Sequence, residues 1–205
     1  MNNHVENFIA ILNRIADSQG NSPHWSFENF LRSTSAFFND DFNSPEIKSF
    51  NWELFSELLA TYRDTPPYYF DLLGKVAKEI RIAQTNRTSK LAENVWTPDY
   101  IQKTLENFGV ININDFDCGS GTAIIDKLNF LRSECYVLPS TQVIVNAFAT
   151  DIICVLMTHI QLSLYGVPAF IAQNFFSGSQ YFHQPIFTTP AIRNLPVEVL
   201  TWKTT

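Results

Sequence analysis

The chain has no excess of positive charge: 14 Lys and Arg stand against 20 Asp and Glu, for a formal net charge of −6. A free-standing nucleic-acid binder displaces counterions with a broad basic footprint, so tight autonomous DNA binding is not expected. The acidic residues are scattered and form no long block, which gives no case for a DNA mimic. Cysteine is scarce. Cys118, Cys135 and Cys154 are odd in number and form no CxxC pair, which fits a reducing compartment and argues against structural zinc. The four histidines, His4, His24, His159 and His183, have no metal spacing with carboxylates or cysteines, and His159, set in an apolar stretch, reads as a satisfied core residue. The sequence opens without a basic segment leading into an apolar core, so no secretory signal is expected. No apolar run is long enough for a membrane span. The most apolar region, 142–171, is broken by Asn146, Thr150, Asp151, His159 and Gln161 and reads as a buried strand, helix and strand. The expected location is the cytoplasm. No Walker-type P-loop occurs.

What is present is aromatic. Eighteen Phe and four Trp imply a core rich in rings, with some aromatic surface available to a partner. Phe8, Ile11, Leu12 and Ile15 fall at helical spacing and predict a helix over 5–17 that stops at Gly20. Further helices are predicted over 26–38, 51–62 and 68–82, the last with Phe70, Leu73, Val76, Ala77 and Ile80 on one side. The cations from Lys75 to Lys90 (Lys75, Lys78, Arg81, Arg87 and Lys90) read as a solvated helix face rather than a phosphate contact. The polar segment 85–93 reads as a linker or mobile loop.

Thr97 and Pro98 then predict a helix start, as N-cap and first helical residue, with Gly109 ending that helix. Strands are predicted over 111–116, 142–149 and 168–172, alternating with helices over 122–131 and 152–165. That order implies a parallel sheet. Beyond Phe175, Gly178, Pro185, Pro190 and Pro196 argue against long regular elements. The centre of the pattern is 114–125, NDFDCGSGTAII, a strand turning through glycines into a helix. Such a loop is either an ordinary tight turn or a place where backbone N–H groups meet a nucleotide-like ligand.

Three separated stretches together resemble one family. ENVWTPDYIQKTL is similar to GQFFTPxxVxxLM, DFDCGSGTAIID to DPACGSGxxLI, and TDIICVLMTHIQLSLYGVPAFIAQN to DIDPxCxxMAxIQLxLxGIPAxVxxGN. These are motifs of the N6-adenine DNA methyltransferases related to the modification subunits of type I restriction systems. The chain looks closer still to the short methyltransferase-like proteins of phages and mobile elements. The resemblance covers residues 90 to 176 or so. It implies an α/β fold: a truncated Rossmann-like methyltransferase sheet of about three parallel strands in residues 86–205, behind an N-terminal helical layer in 1–85. It also implies an S-adenosylmethionine pocket formed by Thr97, Pro98, Asp115, Cys118, Gly119 and Gly121, with Asn174 near the adenine. Asp115 is either a ligand for the methionine ammonium or a turn cap at a strand end. Cys118, at a helix N-terminus, invites a lowered pKa and a minor reading as nucleophile.

The sequence departs from the family at several points. Ala149 stands where the family has the acid that holds the ribose. Losing one charged hydrogen bond weakens binding by roughly 10- to 100-fold. Asp151 either substitutes for that acid or caps the following helix. Phe116 replaces the loop proline, and either packs or fills part of the pocket. Adenine methylation needs acceptors for the exocyclic amino group and an aromatic ring to stack on the extruded base; the family supplies them with an Asn-Pro-Pro-aromatic tetrapeptide, and none occurs here. The expectation is therefore a first half of the fold, incomplete for catalysis, whose first strand has a bare edge. The C-terminal tail, at 185–189 or 197–202, or a homodimer or protein partner is expected to cover that edge, and DNA is expected to be reached through a partner or complex. The alternative is a non-catalytic accessory or anti-defence factor that reuses the scaffold to bind a protein.

Overall fold

The computed structural model describes residues 2–64, 68–82, 96–177 and 180–194. The N-terminal part is helical: α1 (Asn2–Gln19), α2 (Pro23–Phe38), a 3-10 turn (Pro45–Ser49), α3 (Trp52–Asp64) and α4 (Leu72–Glu79). Their starts are set locally. Ser22 and Ser44 each accept a backbone N–H two or three residues on, and a proline follows each in the first turn, where its missing N–H costs nothing. The expected apolar stripes are buried: Phe8 and Leu12 of α1 and Phe27, Phe30 and Leu31 of α2 are at most 1% exposed. Phe8 meets Phe27 and Phe30 edge-on at 6.3 and 5.4 Å, within the range where ring quadrupoles attract. Of Trp52, Phe55, Leu58 and Leu59, which the sequence places on the apolar side of α3, Phe55 and Leu58 are buried and Trp52 and Leu59 lie at the surface, while Leu54 joins the core. The cations Lys75, Lys78 and Arg81 are exposed, as a solvated face should be; Arg87, Lys90 and the expected linker 85–93 lie outside the described residues.

One boundary is corrected. The helix expected to begin at 68 begins at Leu72. The preceding backbone is already satisfied by side chains: Asn129 bonds both the N–H and the carbonyl of Tyr69, at 2.7 and 2.9 Å, and the Tyr165 hydroxyl lies between the N–H and carbonyl of Phe70. Backbone groups that have found partners have nothing to gain from a helical turn.

The second part alternates: α5 (Pro98–Phe108), β1 (Ile111–Asp115), α6 (Thr122–Glu134), the short α7 (Pro139–Gln142), β2 (Val143–Ala149), α8 (Ile152–Leu164), β3 (Ala169–Ser177), β4 (Gln180–Thr188) and a 3-10 turn (Pro190–Asn194). Thr97 caps α5 and Gly109 closes it in the left-handed conformation; Asp151 caps α8 by accepting from Ile153 N at 2.9 Å. The sheet order is β1-β2-β3-β4. Ile111 pairs with Val143 and Val145 with Ala169, both in parallel. The fold is thus α/β with a four-stranded, mostly parallel sheet.

β4 was not expected from the sequence, and it runs antiparallel to β3. Between the pairs Ala172–Ile186 and Asn174–His183, β3 has one residue and β4 has two, Gln184 and Pro185. A bulge on an edge strand is where a proline, which has no N–H to donate, fits a ladder. Residues 185–188 therefore lie at the far side of the sheet and do not cover β1; the other proposed cover, 197–202, lies outside the described residues. Among the described residues β1 has one sheet neighbour, β2.

One face of the sheet buries Ile113, Val145, Ala147 and Ile171 against α6 and α8 in a hydrophobic cluster that continues without a break into α1, α2, α3 and α4. Ten consecutive residues of α8, from Ile153 to Leu162, are buried, because the sheet lies on one side and the helical layer on the other. The opposite face is more open. Asn146 there donates to Asn114 across the strands at 2.9 Å, and Phe116 stacks on Phe148, centroids 5.5 Å apart and planes 5° from parallel. Of the two roles open to Phe116, packing is the one observed. No described helix is long and apolar enough to cross a membrane.

Candidate functional site

The glycine loop joins β1 to α6 and is held by bonds that reach both neighbouring layers. Asp115 closes β1, is fully buried, and accepts the N–H of Asp117 at 3.1 Å, which is the turn-cap role that the sequence left open. Cys118 N donates to Phe148 O of β2 at 2.8 Å, and Gly121 N to Cys118 O at 2.8 Å. Gly119 and Gly121 have φ of 55° and 92°, a region costly for a residue with a Cβ. They differ in what lies around them. A Cβ on Gly119 would meet nothing within 4 Å, whereas one on Gly121 would meet Thr158 Oγ1 at 3.2 Å. Gly119 thus faces open space, and Gly121 provides room for α8, whose Thr158 donates to Gly119 O at 3.2 Å.

The open space is a cavity of about 190 Å³ at the C-terminal ends of β1 and β2, lined by Asp117, Gly119, Ala149, Thr150, Asp151, Cys154 and Ile82 from just beyond α4. Ligands of open α/β sheets bind at this end of the strands. Two of the residues expected from the sequence, Gly119 and Asp151, line it. Asp115, Cys118 and Gly121 belong to its supporting loop. Thr97 and Pro98 are exposed at the start of α5, and Asn174 lies on β3 in register with His183 of β4; none of the three is among the described lining residues. Asp151 both caps α8 and lines the cavity, so its two readings are compatible in space.

Charge at this site has one sign. Asp117 and Asp151 are the only charged side chains among the described lining residues. The surroundings of Cys118 run against the minor reading of it as an activated nucleophile. Burial pushes its thiol up to about 12, and the carboxylates of Asp115 and Asp117 push the same way, against a smaller opposing effect from the Thr158 hydroxyl. A thiol in that state is a poor nucleophile, whatever the helix dipole contributes. In the folded protein, thiol reagents at pH 8 should label the half-exposed Cys135 at least roughly tenfold faster than buried Cys118 and Cys154. Equal labelling of Cys118, mapped by mass spectrometry, would contradict the burial described.

Sequence reasoning missed a polar cluster behind the loop. Asp71, the N-cap of α4, accepts from Gly74 N at 2.8 Å, Ser120 Oγ at 2.7 Å, Gln161 Nε2 at 2.9 Å and the Thr122 hydroxyl. Gln161 also donates to Ser120 O at 2.8 Å and accepts from Leu73 N and Tyr62 OH. A signal was present: Thr158 and Gln161 are polar residues on a largely apolar helix, and a buried polar side chain needs a partner. Their partners, 39 to 99 residues away, could not be read from the sequence.

The fold and the loop define an α/β protein with a small cavity over a glycine turn. No family model matches the chain, and neither does any curated protein or solved structure.

Proposed function

We propose that the cavity over Gly119 binds S-adenosylmethionine, and that the chain is an N6-adenine DNA methyltransferase-like protein that does not transfer methyl groups on its own. The observation that carries this reading is electrostatic. A glycine loop leading into a helix N-terminus ordinarily favours phosphate, yet the charged side chains among the described lining residues are both carboxylates. Phosphate would be repelled, whereas a ligand bearing a sulfonium and an ammonium would be attracted. Asp117 and Asp151 fit the cationic end, and Gly119 leaves the backbone open to close approach. Ala149 offers nothing to the ribose hydroxyls. The bound cofactor would supply an activated methyl group. This chain contributes binding and orientation, with no Asn-Pro-Pro-aromatic loop to hold a base, so DNA would be reached through a partner or complex that supplies one.

A second reading is supported by size. At about 190 Å³ the cavity is smaller than the roughly 300–1,000 Å³ of small-molecule sites. In that reading the scaffold serves as an accessory or anti-defence factor that binds a protein, or a second copy of itself, at the edge of β1. That edge bears Ile111, Asn112, Ile113 and Asn114 and none of the lysines or prolines that discourage strand pairing.

Calorimetry separates the two. The methyltransferase-like site should bind S-adenosylmethionine at micromolar concentration and take up ATP or NAD at least roughly tenfold more weakly. Absence of heat with S-adenosylmethionine at millimolar concentration would sink the cofactor reading and leave the scaffold.

A further inference from the structure

We propose that Asp71 is a positioning residue for the glycine loop, through which the N-terminal helical layer sets the conformation of the ligand site. The loop is the one described above, and only the effect on ligand binding rests on the cofactor reading; the conformational effect does not.

The carboxylate of Asp71 is 8% exposed, and its four partners in the cluster are all neutral donors. Oδ1 takes the N–H of Gly74 and the amide of Gln161, and Oδ2 takes the hydroxyls of Ser120 and Thr122. A carboxylate has about four lone-pair positions, so the set is complete. Two donors come from the loop and the start of α6, one from α8, and one from the first turn of α4. α6 has no side-chain cap of its own: its N-cap is Gly121, which has none to offer. From another layer Asp71 places a negative charge near the N-terminus of α6 and holds the hydroxyls of Ser120 and Thr122 there, while it caps α4 through the N–H of Gly74. One carboxylate therefore serves the N-termini of two helices.

The arrangement leaves the loop little freedom. Ser120 is tied on both sides, through its hydroxyl to Asp71 and through its carbonyl to Gln161 at 2.8 Å, and it sits between the two glycines whose conformations shape the cavity floor. The packing around Gly74 is equally tight, with Asp71 Oδ2 and Ser120 Oγ at 2.2 and 2.3 Å from where a Cβ would stand. The chain just beyond the other end of α4 also reaches the site, since Ile82 lines the cavity. A displacement of α4 would thus alter both the floor and the wall of the cavity. Local order in a buried polar network depends on every member being satisfied, so removing the central acceptor should free the loop before it unfolds the rest.

The test is amide hydrogen exchange on the full chain without cofactor, for wild type, Asp71→Asn and the double variant Ser120→Ala, Thr122→Val. The asparagine keeps the shape but has one acceptor oxygen in place of two. The double variant leaves Asp71 bonded to Gly74 and Gln161 and removes only the donors on the loop side, so it decides the matter if Asp71→Asn fails to fold. The expected result is exchange at least tenfold faster over 119–125 in either variant, with the amides of 8–12 and 27–31 in α1 and α2 changed less than twofold. Unchanged exchange at the loop, or a rise of the same size throughout the chain, would overturn the proposal, the second because it marks a contribution to global stability alone. Titration of S-adenosylmethionine is a separate measurement. If wild type binds it, both variants should bind at least tenfold more weakly, although Asp71 is not among the residues lining the cavity; undiminished affinity would overturn the proposal. If wild type does not bind it, the cofactor reading fails and the exchange result still stands or falls by itself.

Discussion

Replacing Gly74 by alanine should lower the free energy of unfolding by about 3 kcal/mol or more. The direction is opposite to intrinsic preference, since alanine in a helix interior is ordinarily favoured over glycine by about 1 kcal/mol. The reason is space and not backbone conformation. A Cβ at this position would stand 2.2 Å from Asp71 Oδ2, 2.6 Å from Asp71 Oδ1 and 2.3 Å from Ser120 Oγ, inside contact distance of all three. These atoms belong to a buried hydrogen-bonded set, so they can yield only by giving up partners. Overfilling a packed core costs about 1–3 kcal/mol, and each buried polar group left without a partner costs about 1–3 kcal/mol more. Urea unfolding followed by circular dichroism measures the change. A variant as stable as wild type, or more stable, would mean that α4 does not lie against the glycine loop as described.

Acid should weaken the fold through His159. This residue is fully buried between the helical layer and the sheet: Nδ1 is 2.8 Å from Ser35 Oγ of α2, and Nε2 is 3.2 Å from Thr188 O at the end of β4. A carbonyl can only accept, which assigns the proton to Nε2 and leaves Nδ1 to accept from the serine hydroxyl. Burial lowers the pKa from its ordinary 6.5 to about 4, against a smaller opposing effect of the Thr188 carbonyl. The imidazole in the folded chain therefore stays neutral while that in the unfolded chain takes up a proton. Stability is fully present above pH 6.5 and is lost as the pH falls toward 4, by about 3 kcal/mol in total. Unfolding curves between pH 7.5 and 4.5 test this, with His159→Gln as the comparison. Glutamine retains a donor and an acceptor and has no proton to gain, so the variant should be less stable at neutral pH and should lose less on acidification. An identical acid loss in the two proteins would place the effect elsewhere. The same contacts explain why an apolar helix carries a histidine, since it joins α2, α8 and β4 at one point.

Some of this architecture was legible because it is local. The caps at Thr97 and Asp151 are bonds to N–H groups two or three residues away, and the stop at Gly109 is likewise a matter of a few residues. The alternation of apolar runs over 111–172 carried the strands and helices of the parallel sheet for a similar reason: strand and helix periods differ, and each shows within one element. The reading of Phe116 as packing or filling could be settled only once its neighbour, Phe148 of β2, was in place. β4 escaped because proline within an apolar stretch usually marks the end of a strand. Its place in an edge-strand bulge becomes visible only from the register with β3.

By itself, the sequence determined the kinds and approximate limits of most elements, the parallel order of the first three strands and the glycine turn between β1 and α6. Helical and strand periodicity, caps and turns are written within spans of a few residues, and they survive whatever the chain later packs against. Only the tertiary structure decided what surrounds the turn. Ser120 meets a carboxylate 49 residues earlier, that carboxylate meets Gln161 90 residues later, and the cavity takes its negative sign from Asp117 and Asp151 on separate loops. Such contacts depend on which faces of which elements come together, and a chain of this length allows many pairings that share the same local pattern. Burial then makes the choice matter, because a polar group withdrawn from water must find its partner inside the protein.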